Sequence, residues 1–450
     1  MIDKSKKYGI VGLARSGIAS AYKLKELGVI PFLSELSPAQ EIPAAEKLEK
    51  DFPCEFGGHT KKLLECDCLI VSPGIPLNTF ILQKAKEKNI ELISEIELGY
   101  RIKARDSKII AVTGSNGKST TVSLIHHILT GLGKNSLLAG NIGDALCGYD
   151  IEKPGIDYIV LEISSFQLDL IDSFKPDVAV LLNITPDHID RYHSFEDYAL
   201  SKVNIFKNQE TTDTAVLFWD SPEVRHFTRN IKAKKLYFSL SPNEKAFAYL
   251  ANNYIQLGAE TKVPLSYLEI KGPHNYANAM SAMLAVYALL PEPAKIAEAV
   301  TGFKSLPHRL EYVDTIKGVS FYNDSKATNT DAVRSALHSF DKPIRIIMGG
   351  SDKGENYNVL TADLQKKVKK AYLTGETLKK MCQTFSGKIP LECIPDLELA
   401  IKKAFSDSSA GDIIVLSPAC ASFDRFKNYE ERGNFFKEIV ARIGKENEKK

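Results

Sequence analysis

A chain of 450 residues is too long for a single hydrophobic core and points to about three domains. Its 44% hydrophobic and 25% charged residues are the composition of an ordinary soluble globular protein. A formal net charge of +2, with no basic stripe, argues against a nucleic-acid partner, so any affinity for polyanions should be local to a pocket.

Taken in chain order, short apolar runs alternate with stretches of helical period, the pattern of α/β layers built on parallel sheets. The first block opens with the strand-like KYGIVGL (7–13), turns through GLARSG (12–17), and continues as a helix to about Gly28. The strand-like VIPFLSE then ends on Glu35, and CLIVSPG (68–74) and ELISEIEL (91–98) follow. YRIKARDS (100–107) is polar and reads as a linker. The second block starts at KIIAVTGSNGKSTT and includes DYIVLEIS (157–164), VAVLLNIT (178–185) and AVLFWD (215–220). The third starts near Leu306 and carries VSFYNDS (319–325), PIRIIMGG (343–350), KAYLTGE (370–376) and DIIVLSP (412–418). The expected division is 1–98, 99–305 and 306–450.

No run approaches the roughly 18 apolar residues of a membrane span, so no membrane insertion is expected. Arg15 interrupts the apolar start too early for a signal peptide. The seven cysteines are scattered and form no CxxC pair, which favours reduced thiols of a cytoplasmic protein over a disulfide framework or a zinc knuckle.

The polar residues with chemical potential fall just past the apolar runs: Gly114–Thr120, Glu162, Asn183–His188, Asp324–Thr328, Lys353 and Ser422. Ligands of open α/β sheets bind at that edge. The sharpest motif is Gly114-Ser115-Asn116-Gly117-Lys118-Ser119-Thr120, directly after KIIAVT. Its glycines let backbone N–H groups wrap a phosphate, Lys118 brings a positive charge, and Ser119 or Thr120 offers a hydroxyl to Mg²⁺. The spacing departs from G-x₄-G-K-[ST], with Val112 where the usual motif has its first glycine.

Glu162 closes an apolar run, where a carboxylate is costly unless it faces a cation, and is a second candidate Mg²⁺ ligand. His188, in NITPDHID, could ligate a metal through a neutral imidazole. Lys202 has mostly apolar and aromatic neighbours; it is either a buried reactive amine or a snorkelling helix lysine. GLARSG is not G-x-G-x-x-G, but Glu35 lies about where a ribose-binding acid would sit. Arg309 could stabilise phosphate charge from across a domain boundary, and Asp324 could accept from a ribose hydroxyl.

GSNGKST, LEISSFQL, NITPDHIDRY, KGPHNYAN, LPHRLE, NDSKATN and SPACASFDRFKNYEERG occur in an order that resembles the Mur ligases over nearly the whole chain. The resemblance is closest to the member that adds D-glutamate to UDP-N-acetylmuramoyl-L-alanine. It implies a Rossmann-like N-terminal domain, a central P-loop-type ATPase domain and a Rossmann-like C-terminal domain. It further implies ATP as co-substrate, two Mg²⁺ sites served by Ser119, Glu162 and His188, and a carbamate on Lys202 as ligand of the second metal. By the same resemblance Asn278 meets adenine, Asp324 the ribose and Arg309 phosphate. Asn141 and Ser72-Pro73-Gly74 face the muramoyl substrate, with Ser16 and Glu35 at the uridine end. Thr328, Lys353, Ser422 and Tyr429 hold the glutamate, and a monomer is expected. GLARSG and Tyr429 depart from loops familiar in some members. A dinucleotide oxidoreductase would leave the Lys-Ser-Thr loop idle, and a nucleotide-gated binding protein would explain GSNGKST alone. A folylpolyglutamate-type ligase would lack the uridine-binding first domain.

Overall fold

The computed structural model describes residues 2–186, 191, 192, 194–340 and 342–448. They form three sheets. The first contains β1 (Tyr8–Val11), β2 (Phe32–Ser34), β3 (Cys54–Glu55), β4 (Cys68–Val71) and β5 (Glu91–Ile93), all parallel, in the order β3-β2-β1-β4-β5. The order reverses on either side of β1, which opens a crevice at its carboxyl end.

The second sheet comprises β6 (Lys108–Thr113), β7 (Ser136–Gly140), β8 (Tyr158–Glu162), β9 (Val178–Leu181), β10 (Thr214–Phe218), β11 (Lys234–Ser239), β12 (Ala246–Ala251), β13 (Tyr254–Leu257) and β14 (Thr261–Pro264). Its order is β14-β13-β12-β11-β10-β9-β6-β8-β7, parallel from β7 through β12 and antiparallel across β12-β13-β14. Here the reversal falls at β6, flanked by β8 and β9. Strands β1, β4, β8 and β9 are buried throughout, as expected of parallel strands covered on both faces.

The third sheet is β15 (Glu311–Ile316), β16 (Val319–Asn323), β17 (Ile344–Gly349), β18 (Val368–Thr374), β19 (Leu391–Cys393) and β20 (Ile413–Leu416), ordered β15-β16-β20-β17-β18-β19. Only the β15–β16 pair is antiparallel.

The chain divides into two compact units, Met1–Tyr267 with Ala277–Thr301, and Leu268–Tyr276 with Gly302–Lys450. In the first unit one apolar cluster, from Tyr8 and Leu33 through Ile109 and Leu161 to Leu217, serves both sheets. In the second, separate clusters line the two faces of the third sheet, around Val333, Met348 and Phe385 on one and Phe321, Ile401 and Phe436 on the other.

Three features differ from the sequence reading. ELISEIEL is not one strand: β5 stops at Ile93, and Ser94 caps a helix Glu95–Ile102 by accepting from Glu97 N–H. The buried Glu97 carboxylate then accepts N–H groups from Asp172, Ser173 and Phe174, which fixes that helix and takes up the start of the expected linker. The hairpins β12-β13-β14 were not foreseen. Finally, Cys382 and Cys393 form a disulfide with Cα atoms 6.6 Å apart, whereas Cys54, Cys66, Cys68, Cys147 and Cys420 are free. The expectation of seven reduced thiols is corrected for this pair: the fold sets the helix Leu378–Phe385 beside the end of β19, a proximity that spacing could not reveal. Among the described residues no helix is long and apolar enough to cross a membrane.

Candidate active site

The phosphate-loop motif occupies the switch point of the second sheet. Gly114–Gly117 leave β6, and Lys118 begins the helix Lys118–Gly131 with Gly117 as its N-cap, at φ 89° and without a side-chain cap. A Cβ at Gly117 would overlap Asn278 Oδ1, so a glycine is needed both for the left-handed backbone and for the close approach of Asn278. Asn183, two residues past the end of β9, clamps the loop: its Oδ1 accepts from Asn116 N–H at 2.8 Å and its Nδ2 donates to Asn116 O at 3.0 Å. Ser115 Oγ donates to Thr185 O at 2.9 Å and lies 3.0 Å from the Tyr198 hydroxyl.

Around the loop stand four groups. Lys118 Nζ donates to the carbonyls of Gly114 and Ser115 at 2.8 and 2.9 Å. Ser119 and Thr120 are buried. Glu162, the last residue of β8, is buried, and its Oε1 accepts from Asn141 Nδ2 at 2.7 Å. Lys202 is only 2% exposed, which rules out the snorkelling alternative; its Nζ donates to Gly114 O at 3.0 Å and lies 4.4 Å from the Tyr198 ring centre. The Glu162 carboxylate and the Ser119 and Thr120 hydroxyls at this strand-end edge are oxygen donors of the kind that fits Mg²⁺. His188 lies outside the described residues.

At the carboxyl edge of the first sheet, the helix Arg15–Glu26 starts within GLARSG with no side-chain cap, and Ser16 sits in its first turn. Glu35 holds that turn: its Oε2 accepts from Leu13 N–H at 2.6 Å and its Oε1 from Ser37 N–H at 3.1 Å. Ser72, after β4, donates from Oγ to Gly12 O at 2.7 Å, and Pro73 and Gly74 follow it. Arg15 donates to Gly143 O, linking this turn to the loop that carries Asn141. Ser16, Glu35, Ser72–Gly74 and Asn141 therefore belong to one edge-and-loop system of the first unit.

In the second unit, Arg309 lies between two non-glycine residues in the left-handed region, His308 at φ 64° and Leu310 at φ 45°. Leu310 N–H donates to Asp324 Oδ1 at 3.2 Å, and Ser417 Oγ donates to Asp324 Oδ2 at 2.8 Å. Burial raises the Asp324 carboxyl to about 7, against the lowering effect of Ser417, Leu310 and Arg309. Ser422 is buried in the loop after β20, which is tied to the loop after β17 by the Ser351–Ala421 pairing. Lys353 is exposed two residues further on. Thr330 Oγ1 donates to Glu355 Oε2 at 3.0 Å, joining the Lys353 loop to the segment after Thr328. Tyr429 accepts from Ser325 Oγ through its backbone carbonyl.

Comparison with known proteins decides the lineage. The chain is 39% identical over 455 residues to the UDP-N-acetylmuramoylalanine–D-glutamate ligase of Koribacter versatilis, covering 99% of each, and 40% identical over 448 residues to that of Cytophaga hutchinsonii, covering 98% and 99%. The chain belongs to the Mur ligase family. Three family models match successive parts of it: the MurD-like N-terminal domain at 6–94, the Mur ligase middle domain at 112–286 and the glutamate ligase domain at 308–420. Among solved structures, the MurF ligase of Thermotoga maritima in complex with ADP has the same fold, with TM-score 0.64 and 16% identity over 98% of this chain and all of the other. The UDP-N-acetylmuramate–alanine ligase of the same organism gives 0.62 at 17%, covering 97% of this chain and all of the other. The three-domain α/β expectation holds.

Within this Mur ligase, sequence reasoning located the phosphate loop, Glu162 and Lys202, and singled out Asn183 within Asn183–His188 without its clamping role, but passed over Tyr198. Asn183 and Tyr198 fix the loop from the next strand end and the helix Phe195–Val203; the signal for Asn183 was its place directly after an apolar run. Asp352 and Lys380, paired beside Lys353, left no signal because 28 residues separate them.

Proposed function

We propose that this Mur ligase adds D-glutamate to UDP-N-acetylmuramoyl-L-alanine at the expense of ATP, a step of peptidoglycan precursor synthesis, and that it works as a cytoplasmic monomer. The observation that carries the reading is the convergence of an uncapped phosphate loop with buried Glu162 and Lys202 at one switch point. Near full-length identity to relatives named for this reaction supplies the substrates.

A carboxylate resists attack by an amine because its leaving oxide is poor. Transfer of the γ-phosphoryl group makes an acyl phosphate, which loses phosphate instead when the glutamate amine attacks through a tetrahedral intermediate. In this reading Lys118 and the N–H groups opening the helix Lys118–Gly131 bind the ATP phosphates, and Arg309 adds charge to them. Asn278 meets the adenine and Asp324 the ribose. Ser119, Glu162, His188 and the carbamate of Lys202 would hold two Mg²⁺ ions, which supply charge neutralisation for phosphoryl transfer. Ser16 and Glu35 take the uridine end, Ser72, Pro73, Gly74 and Asn141 the muramoyl part, and Thr328, Lys353, Ser422 and Tyr429 the amino acid. The domains are proposed to divide at 98/99 and 305/306.

The test is phosphate release from ATP with an amino-acid panel. Release should require both UDP-N-acetylmuramoyl-L-alanine and D-glutamate, with L-glutamate poor because inversion at the α-carbon moves the amine out of line. An equal rate with L-alanine or a diamino acid would overturn the substrate assignment and leave the ligase chemistry standing.

A further inference from the structure

The loop after β17 puts opposite charges side by side. Lys353 is exposed, and among the described residues no carboxylate lies within ion-pair distance of its ammonium. Its neighbour Asp352 is fully engaged. Lys380 Nζ lies 3.0 Å from Asp352 Oδ1 and 2.9 Å from Oδ2, and Oδ1 also accepts from Gly354 N–H at 2.9 Å. The Tyr357 hydroxyl sits 3.4 Å from the same oxygen. Lys380 belongs to the helix Leu378–Phe385, whose N-cap Thr377 is bonded to the same loop in both directions: Gly350 N–H donates to Thr377 Oγ1 and Thr377 N–H to Gly350 O. The helix therefore delivers the Lys380 ammonium to a fixed place. Asp352 is correspondingly held below the usual carboxylate range, chiefly by its bond to Lys380.

An unpaired carboxylate one residue from Lys353 would oppose any dicarboxylic amino acid at this edge, and would compete with it for the Lys353 charge. We propose that Lys380 is a specificity-determining residue of the amino-acid site: by neutralising Asp352 it keeps the Lys353 charge available to a substrate carboxylate. The inference rests on the reading of Lys353 as a glutamate ligand. Lys380 acts through Asp352 and touches no substrate itself. The pair is partly exposed, so its effect is moderate and sensitive to salt.

Sign separates this role from that of a structural staple. Lys380→Met should raise KM for D-glutamate about 3- to 10-fold while KM for ATP and kcat stay near parental values. Asp352→Asn keeps the acceptor for Gly354 N–H and removes the negative charge, so KM for D-glutamate should stay level or fall. The double variant should return toward the parental value, and Lys380→Arg should match it. Added salt should shrink the Lys380→Met effect. If Asp352→Asn raises KM as Lys380→Met does, and the double variant is no better than either, the pair is only a staple and the inference is overturned. Lys353→Ala separates the two levels: an unchanged KM for D-glutamate there removes the Lys353 reading, whereas a raised KM with no effect of Lys380→Met removes the present inference alone.

Discussion

Two buried side chains of the first unit carry testable chemistry at the scale of single residues. Lys202 is buried, with its Nζ donating to Gly114 O and lying over the Tyr198 ring; the carbamate proposed there would form from its neutral amine and CO₂. Turnover should fall when CO₂ is stripped at mildly acidic pH and recover with bicarbonate. Lys202→Ala should be strongly impaired, and Lys202→Arg should not rescue it, since arginine brings positive charge to a metal site. Activity indifferent to CO₂ would remove the carbamate. Glu95 is the second case. It opens the helix Glu95–Ile102 wholly buried, its Oε1 accepts from Cys147 N–H at 2.6 Å, and burial raises its carboxyl from the ordinary 4.5 to about 7. Between those values the folded protein keeps a proton that the unfolded chain has released, so this group's contribution to stability falls as pH rises from 4.5 to 7 and levels off above. Glu95→Gln keeps an acceptor for Cys147 and removes the titration. Urea unfolding at pH 5 and pH 8 should show the variant gaining on the parent by up to about 3 kcal/mol at the higher pH. Parallel profiles would show that Glu95 does not titrate in this range.

At the scale of elements, the turn from β6 into the helix Lys118–Gly131 is the most constrained junction of the candidate site. Gly117→Ala combines a disfavoured backbone with a clash against Asn278, so the loop should shift while the sheet stays intact. ATP affinity should drop about tenfold or more, with circular dichroism unchanged; a parental KM for ATP would show that the loop does not carry the nucleotide. This junction was legible because seven contiguous residues hold all its chemistry. The Lys353–Ser422 assembly was legible as residues but not as a site, since Ser351 pairs with Ala421 across 70 positions. The run ELISEIEL satisfies strand and helix periods alike, and only the Ser94 cap and the partners of Glu97 decide between them. The hairpins β12-β13-β14 went unread because their strands are short, and the two-residue connection Asn252-Asn253 between β12 and β13 lacks the glycine that usually flags such a turn.

At the scale of the whole molecule, each unit has its own core, so each should unfold as its own cooperative transition. The proposed contacts to UDP-N-acetylmuramoyl-L-alanine all lie in the first unit and those to D-glutamate all in the second. In scanning calorimetry the nucleotide-sugar should raise one transition and D-glutamate the other. Saturation at about 100 times Kd is worth about 2.7 kcal/mol. A single transition moved by either ligand would mean that the two units unfold together.

The division of the chain has a further consequence for how it can be cut. The polypeptide passes from one unit to the other three times, at Tyr267/Leu268, Tyr276/Ala277 and Thr301/Gly302. A protease that nicks one crossing makes two fragments, at least one of which carries segments of both units, so packing within a unit should hold them together: two bands under denaturing conditions and one particle under native ones. A recombinant fragment beginning at 306 would lack Leu268 and Ile270, both buried and both assigned to the second unit. Such a fragment should be recovered in folded form only when the 268–276 stretch is supplied with it.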